Sequence, residues 1–444
     1  MASSPDSRSG LILAFFTVIC CGCSSADQSS GARGPASWAG APSAGSPGGS
    51  EGGAGSNAEG GTQTGDGGAK TSSGGGVMIG SGGATLASGG AQASAGMSGT
   101  SSTAIVPTPF VYVGSTNGQI SIFNLDVPLG KLTLVKSVAA GNYPSFLAFD
   151  STFAHLYAVN ESDGKLASFN VDPKTGDLTF VNRVDSGGAA PAFVTVDHSG
   201  KYVLVANYNA GTTRVFPVRS DGGLGAPADD KAPGKNSHMI LTDPSNQFAF
   251  VMNKGSDTIS QYAFDATKGT LTPNDVPSVI TPSGSGPRHI AFHPNGKYAY
   301  LIAETDDTLS AYEYDAKLGR LSFLESKSTL PAGANADSNT CAEVIVAPSG
   351  KFVYGSNRGH DSIARFSIDT TTGKLTFIDT TPSGGNVPRS FTLSDDGELM
   401  LVANESGNVT SFSVNTKTGA LTKLLSSDVP QKPQFVGIAN LPLK

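Results

Sequence analysis

Gly286-Pro-Arg-His-Ile-Ala-Phe-His-Pro-Asn-Gly-Lys-Tyr-Ala-Tyr-Leu-Ile-Ala-Glu304 is the stretch from which the fold can be read. Two apolar runs, opening at Pro287 and Tyr298, flank a Pro294-Asn-Gly turn. Short β-branched or aromatic runs on either side of an Asn-Gly pair signal a hairpin of antiparallel strands. A third run, Thr308-Leu-Ser-Ala-Tyr-Glu-Tyr, follows. A glycine turn then leads to a fourth, as in Gly373-Lys-Leu-Thr-Phe-Ile of the next unit. No amphipathic helical period lies between these runs.

The unit returns along the chain. Its opening residue is Pro144, Pro191, Ser237, Pro287, Cys341, Pro388 and Pro433 in turn. The spacing is about 45–55 residues, the range that marks propellers and other repeat folds. Hairpin signals recur at Tyr202-Val-Leu-Val-Ala, at Phe352-Val-Tyr-Gly-Ser after Pro348-Ser-Gly, and at Asp395-Asp-Gly. Four antiparallel strands per repeat is the unit of a propeller blade. Six full units run from Pro144 to about Ser427, and two fragments are left over. Pro109-Phe-Val-Tyr-Val through Leu134 supplies the later strands of a blade, and Pro433-Gln-Phe-Val-Gly-Ile-Ala supplies a first strand. The expected fold is therefore all-β: a seven-bladed β-propeller whose last blade is closed by the N- and C-terminal strands. Closure pairs edges that would otherwise stay open. A β-sandwich would not need such regular repetition.

Outside the repeat the composition changes. Residues 24–103 are almost entirely Gly, Ser, Ala and Thr. Such a segment cannot bury enough apolar surface to offset chain entropy, so 23–103 reads as a disordered tether. Before it, Arg8 precedes the apolar stretch Leu11 to Ile19 and then Cys20, Cys21, Gly22 and Cys23. The stretch is too short to span a bilayer and resembles a secretory signal. Gly22-Cys23-Ser-Ser resembles a lipoprotein cleavage box, with Cys23 lipidated and Cys21 as the fallback. Residues 1–22 are thus the expected signal, 104–444 the propeller, and the bacterial envelope the expected location, with a lipid anchor in the membrane. Once the signal is removed and Cys23 acylated, only Cys341 remains, which rules out a disulfide within the domain. Net charge is -7 with no basic block, which argues against nucleic acid.

The repeat separates scaffold from function. Just after the opening residue the units read Ser145, Ala192, His238, Arg288, Ala342, Arg389 and Gln434. The next position reads Phe146, Phe193, Met239, His289, Glu343, Ser390 and Phe435. First strands line the channel of a propeller, so His238, Arg288, His289, Glu343 and Arg389 are expected near its axis. A recurring Asn (Asn160, Asn207, Asn253, Asn357, Asn404) ends the second strand and reads as a local turn device. The residue after it varies, reading Glu161, Tyr208, Lys254, Glu304, Arg358 and Glu405, with Ala303 in place of the Asn before Glu304. His238 and Glu304 are acid/base candidates; Arg288, Arg358 and Arg389 suit an anion, because guanidinium donates two parallel hydrogen bonds. The competing reading is a solvated rim of mutual salt bridges. Cys341, His293, His360 and the Asp306-Asp307 pair read as structural or solvated. No nucleophile elbow, zinc helix or phosphate loop is present.

Gly286-Pro-Arg-His-Ile-Ala-Phe-His-Pro-Asn-Gly, Ala342-Glu-Val, Phe352-Val-Tyr-Gly-Ser-Asn-Arg-Gly-His-Asp and Val387-Pro-Arg-Ser-Phe resemble the lactonase family of seven-bladed propellers. That family includes 6-phosphogluconolactonase and carboxymuconate cyclase. The resemblance covers 104–444. It implies hydrolysis of a small anionic lactone without metal or cofactor, by a chain expected to be a monomer. It also implies that His238, Arg288, Glu304 and Arg358 are catalytic, with His238 or Glu304 as base; Arg389, Glu343 and His289, which break the repeat beside them, are the expected substrate-binding residues. Departures from the family pattern are Asn236, Asn253-Lys254, Ile345 and Ser390, which remove polar or acidic partners. The alternative is an exported binding propeller with a degenerate lactonase site.

Overall fold

The computed structural model describes residues 109–441. The expected signal, Cys23 and the tether fall outside the described residues. Within them lie seven four-stranded antiparallel sheets. Blade 1 begins at Leu147–Phe149, and blades 2 to 6 begin at Pro191–Val196, Ser237–Thr242, Pro287–Phe292, Thr340–Val346 and Pro388–Leu393. In the seventh blade Pro433–Ala439 pairs with Phe110–Ser115, from Ser115↔Pro433 to Phe110↔Ala439. Strands Gln119–Asp126 and Lys131–Ala139 complete that sheet. The terminal segments close the ring as the sequence indicates.

Position in the blade explains the composition of each strand. Second strands such as Tyr298–Ala303 and Leu399–Asn404 are buried at every residue. They lie between neighbouring blades and so read as unbroken apolar runs rather than alternating ones. Outer strands such as Lys131–Ala139 keep one buried anchor, Leu132, and are otherwise largely exposed.

Two polar devices staple adjacent blades. Second-strand tyrosines reach the outer hairpin of the following blade: Tyr112 Oη donates to Gly176 O (2.7 Å), Tyr157 to Gly222 O (3.1 Å), Tyr300 to Gly373 O (3.1 Å) and Tyr354 to Gly419 O (2.8 Å). The recurring asparagines do serve their own turns, as Asn207 does with Thr212 Oγ1 and Asn357 with Ser362 Oγ, but several also reach further. Asn160 Nδ2 donates to Ala140 O (2.9 Å), Asn207 to Ser186 O (3.0 Å) and Asn357 to Thr329 O (3.1 Å). Each acceptor lies where the chain arrives from the preceding blade, so the repeated Asn satisfies a buried connector. Asp307 is not solvated. It is buried at φ 56° and accepts from Asn339 Nδ2 at 2.8 Å.

The hairpin glycines carry a packing constraint of their own. Gly373 has φ +72°, and a Cβ there would lie 2.3 Å from the Tyr298 ring of the preceding blade. Gly373→Ala is therefore expected to destabilise the propeller by about 1–3 kcal/mol, through both the left-handed backbone and the clash. Urea denaturation checks this; an unchanged midpoint would contradict the packing described.

Candidate active site at the channel mouth

The residues that break the repeat owe their direction to a β-bulge. Register slips by one between Ser237 and Met239, Pro287 and His289, and Pro388 and Ser390. The extra residues are His238, Arg288 and Arg389. The same slip falls at Ala192 and Gln434, and between Cys341 and Val344 at Ala342-Glu343. A bulge leaves one residue out of the ladder and re-aims its side chain. Repeated around the ring, it offers a set of side chains freed from strand alternation.

Glu304 sits at the centre of the polar cluster, its side chain 12% exposed. Lys254 Nζ approaches Oε1 at 2.8 Å, Arg358 Nη2 approaches Oε1 at 3.0 Å, and Arg288 Nε lies 3.0 Å from Oε2. The last contact is an ion pair by distance, but its N–H is not aligned for a hydrogen bond. Arg358 Nη2 also donates to Cys341 O (2.8 Å), and Arg288 Nη1 donates to Ala342 O. Burial by itself would raise the Glu304 pKa. Arg358, Arg288 and Lys254 outweigh it and hold the carboxyl well below the usual range. Burial together with the Arg358 charge pulls Arg288 down to about 10, despite the opposing pull of Glu304.

Beside this cluster stand two neutral imidazoles. His289 Nδ1 donates to Glu343 Oε1 at 2.8 Å. Its Nε2, 3.3 Å from the Arg288 Nη1 donor, is then the acceptor. His238 is 5% exposed, with its ring centroid 5.0 Å from that of His289 and 5.6 Å from that of Tyr208. Its Nδ1 has no protein partner. Desolvation first, then the charges of Arg288, Arg389 and Lys254, push its pKa well below the ordinary histidine value. His289 is lowered too, chiefly by burial, with Glu343 opposing.

Below the mouth the channel is nearly filled. Ser145, Phe146, Arg288, His289, Glu343 and Arg389 are among the residues enclosing a cavity of about 10 Å³, room for about one water molecule. The cavity has no room for a small organic ligand. A separate open groove of about 520 Å³ lies between blades 2 and 3, lined in part by Asn209, Lys235, Asn236 and Ser256.

All seven candidates read from the sequence reach this region. Arg288, Glu304 and Arg358 form one ion cluster, His289 pairs with Glu343, His238 meets His289 edge-on, and Arg389 lines the cavity. In sequence Lys254 reads only as a departure that removes an acidic partner, yet it is the third cation on Glu304, 5.8 Å above the Tyr208 ring. Their separation of 50 residues hid the pair; one repeat period was the only available clue. His293 Nε2 contacts Gly350 O at 2.7 Å, and His360 Nδ1 contacts Ser362 Oγ at 2.7 Å, so both serve structure. Cys341 is buried, and burial pushes its thiol up. Among the described residues no group of three or more His, Cys, Asp or Glu is placed to hold a metal ion.

The guanidinium, carboxylate and imidazole cluster thus lies on a seven-bladed propeller whose channel is nearly filled. The family model described as "Lactonase, 7-bladed beta-propeller" matches residues 110–438, and the chain belongs to that family. It is 34% identical over 342 residues to a 6-phosphogluconolactonase of Formosa agariphila, covering 71% of this chain and 95% of that protein. It is 33% identical over 251 residues to the 6-phosphogluconolactonase of Bacillus subtilis, covering 54% and 70%. Among solved structures it resembles the periplasmic gluconolactonase of Pseudomonas aeruginosa, with TM-score 0.70, 26% identity, and coverage of 75% of this chain and 99% of that one.

The depressed pKa values set an expected acid response. The unfolded chain binds a proton at each histidine near pH 6.5, whereas buried His238 and His289 bind theirs only at lower pH. Stability is therefore expected to be full above about pH 6.5 and to fall as pH drops below it. It should fall further below about pH 4.5, where unfolded Glu304 takes up its proton and the folded carboxylate does not. Urea midpoints between pH 8 and pH 4 check this, with His238→Gln expected to flatten the upper part of the slope. Midpoints independent of pH over that range would contradict buried neutral imidazoles.

Proposed function

We propose that the protein hydrolyses a lactone of the sugar-acid type at the channel mouth. The observation that carries the reading is the Glu304 carboxylate tied to Arg288, Arg358 and Lys254 beside the neutral His238. Two relatives that are 6-phosphogluconolactonases and a structural neighbour that is a gluconolactonase support it. Of the two candidate bases, Glu304 is held as an anion by three cations and is too weakly basic to take a proton. His238 is neutral with Nδ1 unpartnered, and accepts the proton of the attacking water as that water adds to the lactone carbonyl carbon. The carbonyl oxygen becomes an oxyanion facing the guanidinium groups of Arg288 and Arg358, which Glu304 holds in place before the charge develops. Collapse breaks the ring C–O bond, and His238 returns the proton to the departing ring oxygen. The product is a hydroxy acid. Arg389 and the His289–Glu343 pair shape the floor beneath it. Lys254 and the guanidinium groups make the mouth favour an anionic substrate.

The test is pH-stat hydrolysis of sugar-acid and carboxylated lactones. Turnover above the spontaneous rate is expected, falling roughly 10²–10⁴-fold in His238→Gln. The acid limb of kcat/KM is expected well below pH 6.5, because the pKa of His238 is lowered. No turnover on any lactone, or full activity in His238→Gln, would overturn the proposal. Arg288→Ala is expected to weaken binding of a carboxylated ligand by roughly 2–5 kcal/mol, as loss of one member of a buried charge set does.

Export fits the same reading: the Pseudomonas aeruginosa neighbour is periplasmic, and Cys23 stands where a lipid anchor would attach. Labelled palmitate is expected on the wild type and absent from Cys23→Ser. Equal labelling of both would move the anchor to Cys21 or another site.

A further inference from the structure

The reaction above leaves one buried titratable group at the mouth unused. Glu161 of blade 1 follows the strand-ending Asn160, as Tyr208, Lys254 and Glu304 follow the ends of the second strands in blades 2 to 4 and as Arg358, after Asn357, closes that of blade 5. Those four converge on the mouth through the contacts of Lys254 and Arg358 with Glu304 and of Lys254 with the Tyr208 ring. Glu161 holds the equivalent place, 7% exposed, and its Oε2 is buried without a protein partner. At the other variable position of the same blade, Ser145 is 3% exposed, and its Oγ is also buried without a partner. Ser145 lines the channel cavity together with Arg288. Blade 1 thus presents an unspent acceptor at each of the two positions from which the other blades build the site.

A carboxylate oxygen kept from water with no donor costs the fold stability. Such a group calls for an explanation outside the fold itself. The opposite wall is close: Phe146, next to Ser145, has its ring centroid 5.8 Å from that of His289 on blade 4. One small ligand over the axis can touch both walls. We propose that Glu161, with Ser145 beneath it, is a hydroxyl-binding wall that accepts hydrogen bonds from the polyol chain of a sugar acid. The carboxyl end of the same ligand faces Arg288 and Arg358. A negative wall on blade 1 repels a phosphate or carboxylate and attracts donors, so the site fixes ligand direction as well as ligand class. The naming of a sugar acid rests on the lactonase reading; the hydroxyl-binding role rests on blade 1 alone.

The test reads binding and not turnover, so its failure is separate from failure of the lactonase reading. The full chain is titrated by calorimetry with D-gluconate and with hexanoate, which keeps the carboxylate and lacks the hydroxyls. Wild type is expected to bind gluconate more tightly. Glu161→Ala is expected to raise the gluconate Kd by about ten- to a hundred-fold, the usual worth of hydrogen bonds to a charged group, and to narrow the gap to hexanoate. Its Tm is expected to equal or exceed that of wild type, because a buried oxygen without a partner has been removed. An unchanged gluconate Kd, no preference for gluconate in the wild type, or a Tm lowered by several degrees would overturn the proposal.

Discussion

Seven inner strands share one axis, and that constraint governs everything at the mouth. Side chains from blades far apart in sequence are driven into a space that leaves room for little more than one water. Charges placed there cannot be solvated individually and must satisfy one another. The ring can hold them only because it is closed by pairing Pro433–Ala439 with Phe110–Ser115 and stapled from blade to blade by buried Tyr and Asn side chains. A propeller open at that seam would let the inner strands separate and water in.

Glu304 is the local answer to this crowding. Its carboxylate faces Arg288, Arg358 and Lys254 together, and the same carboxylate loses its value as a base. The chemistry passes to an imidazole kept neutral by burial. Lys254 changes the sense of the departure at Asn253-Lys254: an acidic partner expected from the family pattern is gone, and an additional cation stands on the central carboxylate instead.

The fold was legible because each blade repeats its own punctuation. The Asn-Gly and Ser-Gly turns, the unbroken second strands and the leftover terminal fragments each point to a closed ring of seven. The site was legible wherever a charged residue broke that repetition, as at His238, Arg288, Glu304 and Arg358. What the sequence withheld belongs to pairing rather than to residue type. The bulges that free His238, Arg288 and Arg389 appear only when one strand is set against the next. Asn160 and Asn207 at second-strand ends look like turn formers and are also inter-blade staples, because each has an acceptor about twenty residues away in a buried connector. Asp307 looks solvated beside Asp306 and is buried by the long connector that carries Asn339.

The central claim is that a small acid or lactone is held over the axis by the Arg288–Glu304–Arg358 cluster, not in the wider groove between blades 2 and 3. The most direct test is a crystal structure with D-gluconate bound. The account predicts its carboxylate within hydrogen-bond distance of the Arg288 and Arg358 guanidinium groups, with His238 adjacent. Gluconate lodged instead among Asn209, Lys235, Asn236 and Ser256, with the mouth cluster untouched, would contradict it.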